Sequence, residues 1–167
     1  KYGDDRRTDI VHDEVEEINV EDMIKDEDMV VMISRLGYIK RVSVDKYKKQ
    51  SRGGTGSNGT NLLEEDYINQ LFIGSTKEKL LFITNIGKAY WIKIHEIPET
   101  EKASRGAHVK GLLQVGPDEE ITTIVSLKEF SDDQYLFMTT AKGVVKKVKT
   151  SEFTNAKTRG IIGIKLN

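Results

Sequence analysis

The 167-residue chain contains no cysteine, which excludes a disulfide framework and any metal site built on cysteine ligands. No stretch approaches the roughly 20 consecutive apolar residues of a membrane-spanning helix, and the charged N-terminus does not resemble a secretory signal. The formal net charge of −1 conceals a division, because residues 1–30 carry an excess of eight negative charges and the later residues an excess of seven positive charges.

The first segment, residues 1–27, is rich in acidic side chains and shows no long apolar periodicity. Runs of like charge of this kind stay solvated and do not form a packed core. We therefore predict that residues 1–27 are a linker and that the folded region comprises residues 28–167.

Three repeats follow the linker. In each repeat an apolar, strand-like run turns at a glycine, continues as a second strand that is often basic, and reaches an Arg-Gly pair. The glycines of the three Arg-Gly pairs, Gly53, Gly106 and Gly160, are 53 and 54 residues apart. A fixed period of about 40–55 residues with several strands per unit predicts the blades of a β-propeller.

The fold class predicted from these repeats is all-β, with propeller-like blades of about four strands and almost no helix. The three blades are expected at about residues 28–66, 67–120 and 121–167, with strands at Tyr67–Ile73 and Ile121–Leu127 opening the second and third. Three blades are too few to close a propeller, and an open half-ring would expose sheet edges. We therefore expect a part of a larger ring, or an oligomer that completes one.

Basic side chains cluster at matching places of the first and third repeats. Arg35–Arg52 holds seven basic residues against one acidic residue, and Lys142–Arg159 holds six against one. Such clusters are the electrostatic footprint of a surface that binds polyanions. The alternative for each cluster is a solvated strand face without a ligand.

The glycine-rich loop Gln50–Gly56 replaces the simple Arg-Gly pair in the first repeat. Glycines let backbone N–H groups approach a phosphate closely, and arginine grips a phosphate with two hydrogen bonds. The overlapping G-x-G-x-x-G pattern at 54–59 lacks the flanking strand and helix of a dinucleotide site, and it lacks the lysine of a Walker loop. Phosphate binding and a flexible connection between blades both remain open from these residues alone.

Gln50–Gly56 resembles the gyrase A box, whose usual form is Gln-(basic)-Arg-Gly-Gly-(basic)-Gly, of the C-terminal domain of DNA gyrase A subunits. Gly3–Thr8 is similar to that family's junction with the cleavage core, and Tyr38–Arg41 is similar to its first-blade strand. The related topoisomerase IV domain lacks an intact box, so the resemblance favours gyrase. Ser51 and Thr55 stand where the family usually has basic residues.

The resemblance implies a β-pinwheel of which this chain is half, three blades of six. It implies a module that wraps double-stranded DNA, gives handedness to strand passage and enables negative supercoiling within an ATP-dependent type IIA topoisomerase. The module itself is expected to be non-catalytic and to hold no cofactor or metal, with ATP and Mg²⁺ used elsewhere in the holoenzyme. The implied partners are the rest of the gyrase A polypeptide and the gyrase B polypeptide in an A2B2 complex, in the bacterial cytoplasm at the nucleoid and not at a membrane.

The predicted DNA-binding residues combine the box with the basic side chains of the three repeats. They are Lys40, Arg41, Lys46, Lys48, Lys49, Gln50, Ser51, Arg52, Gly53, Gly54, Thr55, Gly56, Arg105, Lys146, Lys147, Lys149, Lys157 and Arg159. The competing interpretation is a propeller that serves as a protein–protein scaffold without DNA wrapping. Against it, the blade ends carry no Trp-Asp or Gly-His signature.

Overall fold

The computed structural model describes residues 3, 23–47, 60 and 62–166, and within them the regular secondary structure is mostly β-strand. One short helix, α1, spans Val109–Leu112. The strands are β1 (Asp28–Ser34), β2 (Tyr38–Ser43), β3 (Ile68–Ser75), β4 (Lys79–Thr84), β5 (Lys88–Lys93), β6 (Ala107–His108), β7 (Ile121–Leu127), β8 (Tyr135–Thr139), β9 (Val145–Lys149) and β10 (Ile161–Ile162).

Three antiparallel hairpins repeat along the chain, β1–β2, β4–β5 and β8–β9. Each turns at a glycine in the left-handed region, with φ of 85° at Gly37, 78° at Gly87 and 79° at Gly143. Glycine adopts this conformation without steric cost, which is why the residue recurs there. A short 3-10 turn follows each hairpin, at Val44–Lys46, Ile94–Glu96 and Thr150–Phe153.

The first two sheets have the same four-stranded, antiparallel order. The first is β3-β1-β2-β6, and the second, written in the same direction, is β7-β4-β5-β10. Both sheets also show a register shift at the end of the first hairpin strand, between Ile33 and Ser34 and between Ile83 and Thr84. Among the described residues the third sheet consists of β8 and β9 alone. The predicted all-β fold with propeller-like, four-stranded sheets is confirmed.

The sheets do not follow the predicted blade limits near residues 66 and 120. Strand β3, expected to open the second blade, pairs with β1 from Asp28↔Ser75 to Ser34↔Ile68 and completes the first sheet. Strand β7 likewise pairs with β4 of the second sheet. An alternating strand pattern does not say which hairpin the strand will join, because either edge offers equivalent backbone groups.

The hydrophobic core consists of two layers between the three sheets. Alternate residues of a strand point to opposite faces, so β4 and β5 serve both layers. Leu80 and Phe82 pack with Val31 of the first sheet, whereas Leu81 packs with Phe153 on the side of the third. The middle sheet is therefore apolar on both faces, which explains the nearly continuous hydrophobic run of β4.

A buried carboxylate joins the segment after α1 to the second sheet. Glu119 is 3 % exposed and accepts hydrogen bonds from Thr84 Oγ1 (2.7 Å), Tyr90 Oη (2.9 Å) and the backbone N–H of Gly116 (3.1 Å). Lys88 Nζ lies 3.8 Å from Glu119 Oε2. Burial and the bond to Glu119 raise the pKa of Tyr90 to about 12, so the phenol remains a donor.

The network makes stability dependent on pH through Glu119. Burial opposes its charge, but the donors Thr84, Gly116 and Tyr90 and the charge of Lys88 prevail and lower the pKa of Glu119 below its ordinary value of 4.5. Its contribution to the free energy of unfolding is therefore complete above the unfolded pKa and is lost as pH falls through the folded pKa.

We expect Glu119→Gln to lower the free energy of unfolding at neutral pH by about 1–3 kcal/mol, because an amide cannot satisfy the same three donors. The parent chain is expected to lose melting temperature below about pH 5, and the variant should lose less. Thermal unfolding followed by circular dichroism across this pH range measures both effects, with exposed Glu120→Gln as the control. Equal pH slopes for Glu119→Gln and the parent would contradict the assignment.

Candidate nucleic-acid interface

Half of the predicted DNA-binding residues can be located in the structure. The other half, from the box and its flank, lie outside the described residues: Lys48, Lys49, Gln50, Ser51, Arg52, Gly53, Gly54, Thr55 and Gly56. The located residues fall into three groups. One group lies on β2 and the turn after it, a second is the Arg-Gly turn before β6, and the third lies on β9 and the Arg-Gly turn before β10.

The structure corrects the prediction for Lys40. Its side chain is only 1 % exposed, and Nζ donates hydrogen bonds to the backbone oxygens of Lys102 (2.5 Å) and Ser104 (2.7 Å). Burial lowers the pKa of Lys40 from its ordinary value. An ammonium enclosed in this way cannot reach a DNA phosphate, so Lys40 is part of the internal structure of the fold.

Arg41 and Lys46 both contact the loop that follows β5. Arg41 Nε donates to the backbone oxygen of Ile97 (2.6 Å), and its Nη1 lies 3.6 Å from Glu99 Oε2. Lys46 Nζ lies 3.1 Å from Glu101 Oε1 and 3.6 Å from Glu99 Oε1. The bond to Glu101 raises the pKa of Lys46. Arg41 thus binds the loop through both its Nε and its Nη1. Lys46 pairs with Glu101, whose side chain is 82 % exposed, and a competing anion easily displaces such a surface partner.

Arg105 lies exposed on the turn before β6. Its guanidinium carbon is 5.4 Å from the centre of the Tyr38 ring, and that ring meets His108 edge-on at 5.3 Å. Nearby, Lys102 Nζ lies 4.4 Å from the centre of the Tyr47 ring. Aromatic faces attract these cations and restrict their motion while leaving the N–H groups able to bind an anion.

The lysines of β9 lie on the faces of the third hairpin. Lys146 Nζ donates to the backbone oxygen of Gly163 (2.8 Å) of the adjoining segment. Lys147 Nζ lies 4.0 Å from the Tyr135 ring centre, and Lys149 Nζ lies 3.5 Å from Asp132 Oδ1. All three side chains are exposed. Because successive side chains of a strand point to opposite faces, Lys146 lies on one face of the hairpin, and Lys147 and Lys149 lie on the other.

Arg159 occupies the same structural position as Arg105. Each arginine is exposed and precedes a glycine of positive φ, 91° at Gly106 and 74° at Gly160. After these glycines β6 pairs with β2 through Ala107↔Ile39, and β10 pairs with β5 through Ile161↔Ala89. The third-repeat turn also carries Lys157, an exposed residue with φ of 31° whose backbone oxygen accepts from Trp91 N. The Arg-Gly period of the sequence thus corresponds to a cation repeated at one edge of successive sheets.

Sequence reasoning missed the groups that surround these cations. The carboxylates of Glu99 and Glu101 and the rings of Tyr38 and Tyr47 all belong to the immediate environment of the first cluster. Their contacts cross from one repeat to the next, and no spacing in the sequence indicates which residues of neighbouring repeats meet. The acidic residues at 99 and 101, just before Arg105, were the one signal in the sequence that could have indicated acidic partners for the basic cluster.

The chemistry of the described surface suits contacts to phosphates. Exposed arginine and lysine side chains bind the nucleic-acid backbone, and reading of base edges requires an element that enters a groove. The only described α-helix, α1, has four residues and is too short for that purpose. Within the described ranges no group of three or more histidine or acidic side chains is arranged to hold a metal ion. No described helix is long and apolar enough to span a membrane.

Comparison with protein families gives a match that follows the repeats. The family model for the "DNA gyrase C-terminal domain, beta-propeller" matches residues 28–75, 78–128 and 134–167. The first matched segment ends with β3 and the second with the residue after β7, in agreement with the observed sheets.

Relatives and solved structures agree with this match. The DNA gyrase A polypeptide of Treponema pallidum is 58 % identical over 99 % of the chain, and that of Brachyspira hyodysenteriae is 44 % identical over 99 %. The chain spans 20 % of the length of each. The solved DNA gyrase A C-terminal domain superposes with a TM-score of 0.68 at 35 % identity, covering 84 % of this chain and 44 % of that one. The topoisomerase IV C-terminal domain gives 0.71 at 26 % identity, covering 86 % and 43 %.

The geometry of the Arg105 turn predicts that Gly106→Ala is destabilising. The new Cβ would lie 2.4 Å from the backbone oxygen of Ile39, and the φ of 91° is strained for alanine. We expect a loss of about 1–3 kcal/mol in the free energy of unfolding, measured by urea denaturation. Gly111→Ala is the matched control, since nothing lies within 4 Å of its Cβ position. Equal stability of both variants would show that the turn is not constrained as described.

Proposed function

Because the chain belongs to the family of DNA gyrase C-terminal domains, we propose that it is the DNA-binding and DNA-wrapping module of a gyrase A polypeptide. The observation that carries this proposal is the recurrence of an exposed arginine, Arg105 and Arg159, at the same edge of successive sheets. Cations repeated with the period of the blades give a duplex a series of phosphate contacts along its path. Sequence-independent contacts of this kind suit a protein that wraps DNA and does not read it.

The energetic requirement of wrapping is that phosphate contacts exceed the cost of bending. Bending a few tens of base pairs costs roughly 1–10 kcal/mol, depending on sequence and curvature. Each neutralised phosphate releases condensed counterions, which favours binding at low salt. The exposed or half-buried residues available for this are Lys46, Lys102, Arg105, Lys157 and Arg159, together with the lysines of β9. The box, which lies outside the described residues, adds Arg52 in the sequence. The aromatic contacts of Lys102 and Arg105 reduce the entropy that these side chains lose on binding.

In the proposed complex this chain supplies the direction of wrapping and other regions supply the chemistry. A fixed sense of wrapping presents a neighbouring segment of the same DNA for passage, and strand passage in one direction yields negative supercoils. Strand cleavage, ATP hydrolysis and Mg²⁺ binding are assigned to the remainder of the gyrase A polypeptide and to the gyrase B polypeptide, in an A2B2 assembly at the bacterial nucleoid. The protein-scaffold alternative is not favoured by the family match and becomes one outcome of the test below.

We expect duplex DNA to bind the chain with an affinity that falls steeply between about 50 and 200 mM salt. Arg105→Ala and Arg159→Ala should each reduce the slope of log K against log salt by about 0.9, the value for one phosphate contact. Fluorescence anisotropy with a labelled duplex measures the slope. Lys77→Ala removes an exposed charge outside the Arg-Gly turns and serves as the control. An affinity that does not change with salt would favour the scaffold alternative.

The glutamate that pairs with Lys46 is expected to weaken DNA binding, because it competes with phosphate for the same ammonium. Glu101→Gln should raise the affinity for duplex DNA by about two- to fivefold at low salt, and the gain should shrink as salt screens the charges. The same anisotropy titration measures this effect. Glu129→Gln, an exposed change of equal charge outside this cluster, is the control. Equal gains in both variants would indicate a net-charge effect and no local competition.

A further inference from the structure

One position of the repeat lies directly beneath the Arg-Gly turn of the following repeat. The position is the third residue after the hairpin glycine, occupied by Lys40 in β2 and by Tyr90 in β5. A Cβ built on Gly106 would lie 2.8 Å from Lys40 Cβ, and one built on Gly160 would lie 2.4 Å from the ring of Tyr90. In both sheets this side chain therefore packs directly against the glycine of the next Arg-Gly turn.

Lys40 adds directed hydrogen bonds to this packing. Its Nζ reaches the backbone oxygens of Lys102 and Ser104, which belong to the turn immediately before Arg105. An ammonium group has three donors and no acceptor, so carbonyl oxygens are suitable partners for it when it is buried. Two such bonds from one buried atom fix the course of the backbone that carries Arg105.

A second donor converges on the same turn. Thr60 Oγ1 donates to the backbone oxygen of Ser104 at 3.2 Å, the atom that also accepts from Lys40 Nζ at 2.7 Å. In the sequence Thr60 directly follows the glycine pattern at 54–59, and β2 ends at Ser43, before this segment. The chain before and after this segment is therefore tied to a single carbonyl group of the Arg105 turn.

We propose that Lys40 is the positioning residue for Arg105, and that Thr60 assists it through their shared acceptor. The proposal rests on the proposed function, since it concerns how Arg105 is presented to a phosphate. With Lys40 in place, the turn holds Arg105 over Tyr38 and the guanidinium is ready to bind. Without the ammonium, the carbonyls of Lys102 and Ser104 lose these donors and the turn relaxes. Arg105 is then no longer held where it meets the phosphate, and its contact is lost.

A double-mutant cycle on the 167-residue chain separates positioning from other roles of Lys40. Lys40→Met keeps the aliphatic stem and removes the ammonium, and Arg105→Ala removes the contact. We expect each single variant to reduce the salt slope for a duplex probe by about 0.9, and the double variant to reduce it no further. Lys128→Met, an exposed loss of one charge outside the turn, should leave the effect of Arg105→Ala unchanged.

Additive reductions in the double variant would overturn the proposal, because they would mean that Lys40 contacts DNA independently. A Lys40→Met variant whose salt slope equals that of the parent chain would also overturn it and leave Lys40 with a role in stability alone. If Lys40→Met does not fold by circular dichroism, Thr60→Val replaces it in the cycle. Thr60→Val should then diminish the effect of Arg105→Ala, and an undiminished effect would refute the shared-acceptor arrangement.

The failure of the proposed function has a different signature in the same measurements. The proposed wrapping function is contradicted if the parent chain does not bind duplex DNA or binds it without salt dependence. This result is obtained before any variant is compared. Limited trypsin digestion then still reports the turn itself, since Lys40→Met should accelerate cleavage after Lys102 and Arg105 relative to Lys128→Met. Unchanged cleavage at both bonds would overturn the positioning role independently of DNA.

Discussion

The structure depends on the completion of the first two sheets by a strand from the repeat that follows. Strand β6 joins β2 and strand β10 joins β5, and each pairing begins immediately after a glycine that fits tightly against the preceding sheet. Backbone hydrogen bonds of this kind are obligatory for a buried edge, so the segment carrying the arginine has little freedom in where it lies. Because each of these strands pairs with the preceding sheet, arginines that recur at a fixed spacing in the sequence also recur at the edges of successive sheets.

A second constraint decides which basic residues remain available to a ligand. The middle sheet is apolar on both faces because it packs against both neighbours, and a strand side chain in such an arrangement points into an interface between sheets. The cations of β2 are likewise engaged internally, Lys40 with carbonyl oxygens and Arg41 with Ile97 and Glu99. The arginines of the Arg-Gly turns at 105 and 159 lie at the sheet edges and stay exposed. The division between internally engaged and exposed charge follows from the position of each residue in its blade.

The sequence was sufficient for the local features and insufficient for the contacts between repeats. The hairpins, their turn glycines and the Arg-Gly period are set by backbone geometry and by the alternation of neighbouring residues, so they were predictable. The membership of β3 in the first sheet, the burial of Lys40 and the pairing of Lys46 with Glu101 were not. Each of these features depends on which distant segment packs against the residue. The number and spacing of charges in the sequence do not indicate which segment this is.

Different side chains lie beneath the two Arg-Gly turns. Beneath the turn of Arg159 lies the ring of Tyr90, which packs against the glycine and donates its hydroxyl to the buried Glu119. Beneath the turn of Arg105 lies Lys40, whose bonds to carbonyl groups depend on direction as well as distance. The turn of Arg159 is held in addition by main-chain donors, since Trp91 N donates to the backbone oxygen of Lys157 (3.1 Å) and Gln114 N to that of Thr158 (2.9 Å). The loss of one side-chain ammonium can therefore loosen the turn of Arg105, whereas the main-chain donors that hold the turn of Arg159 are not removed by a change of side chain.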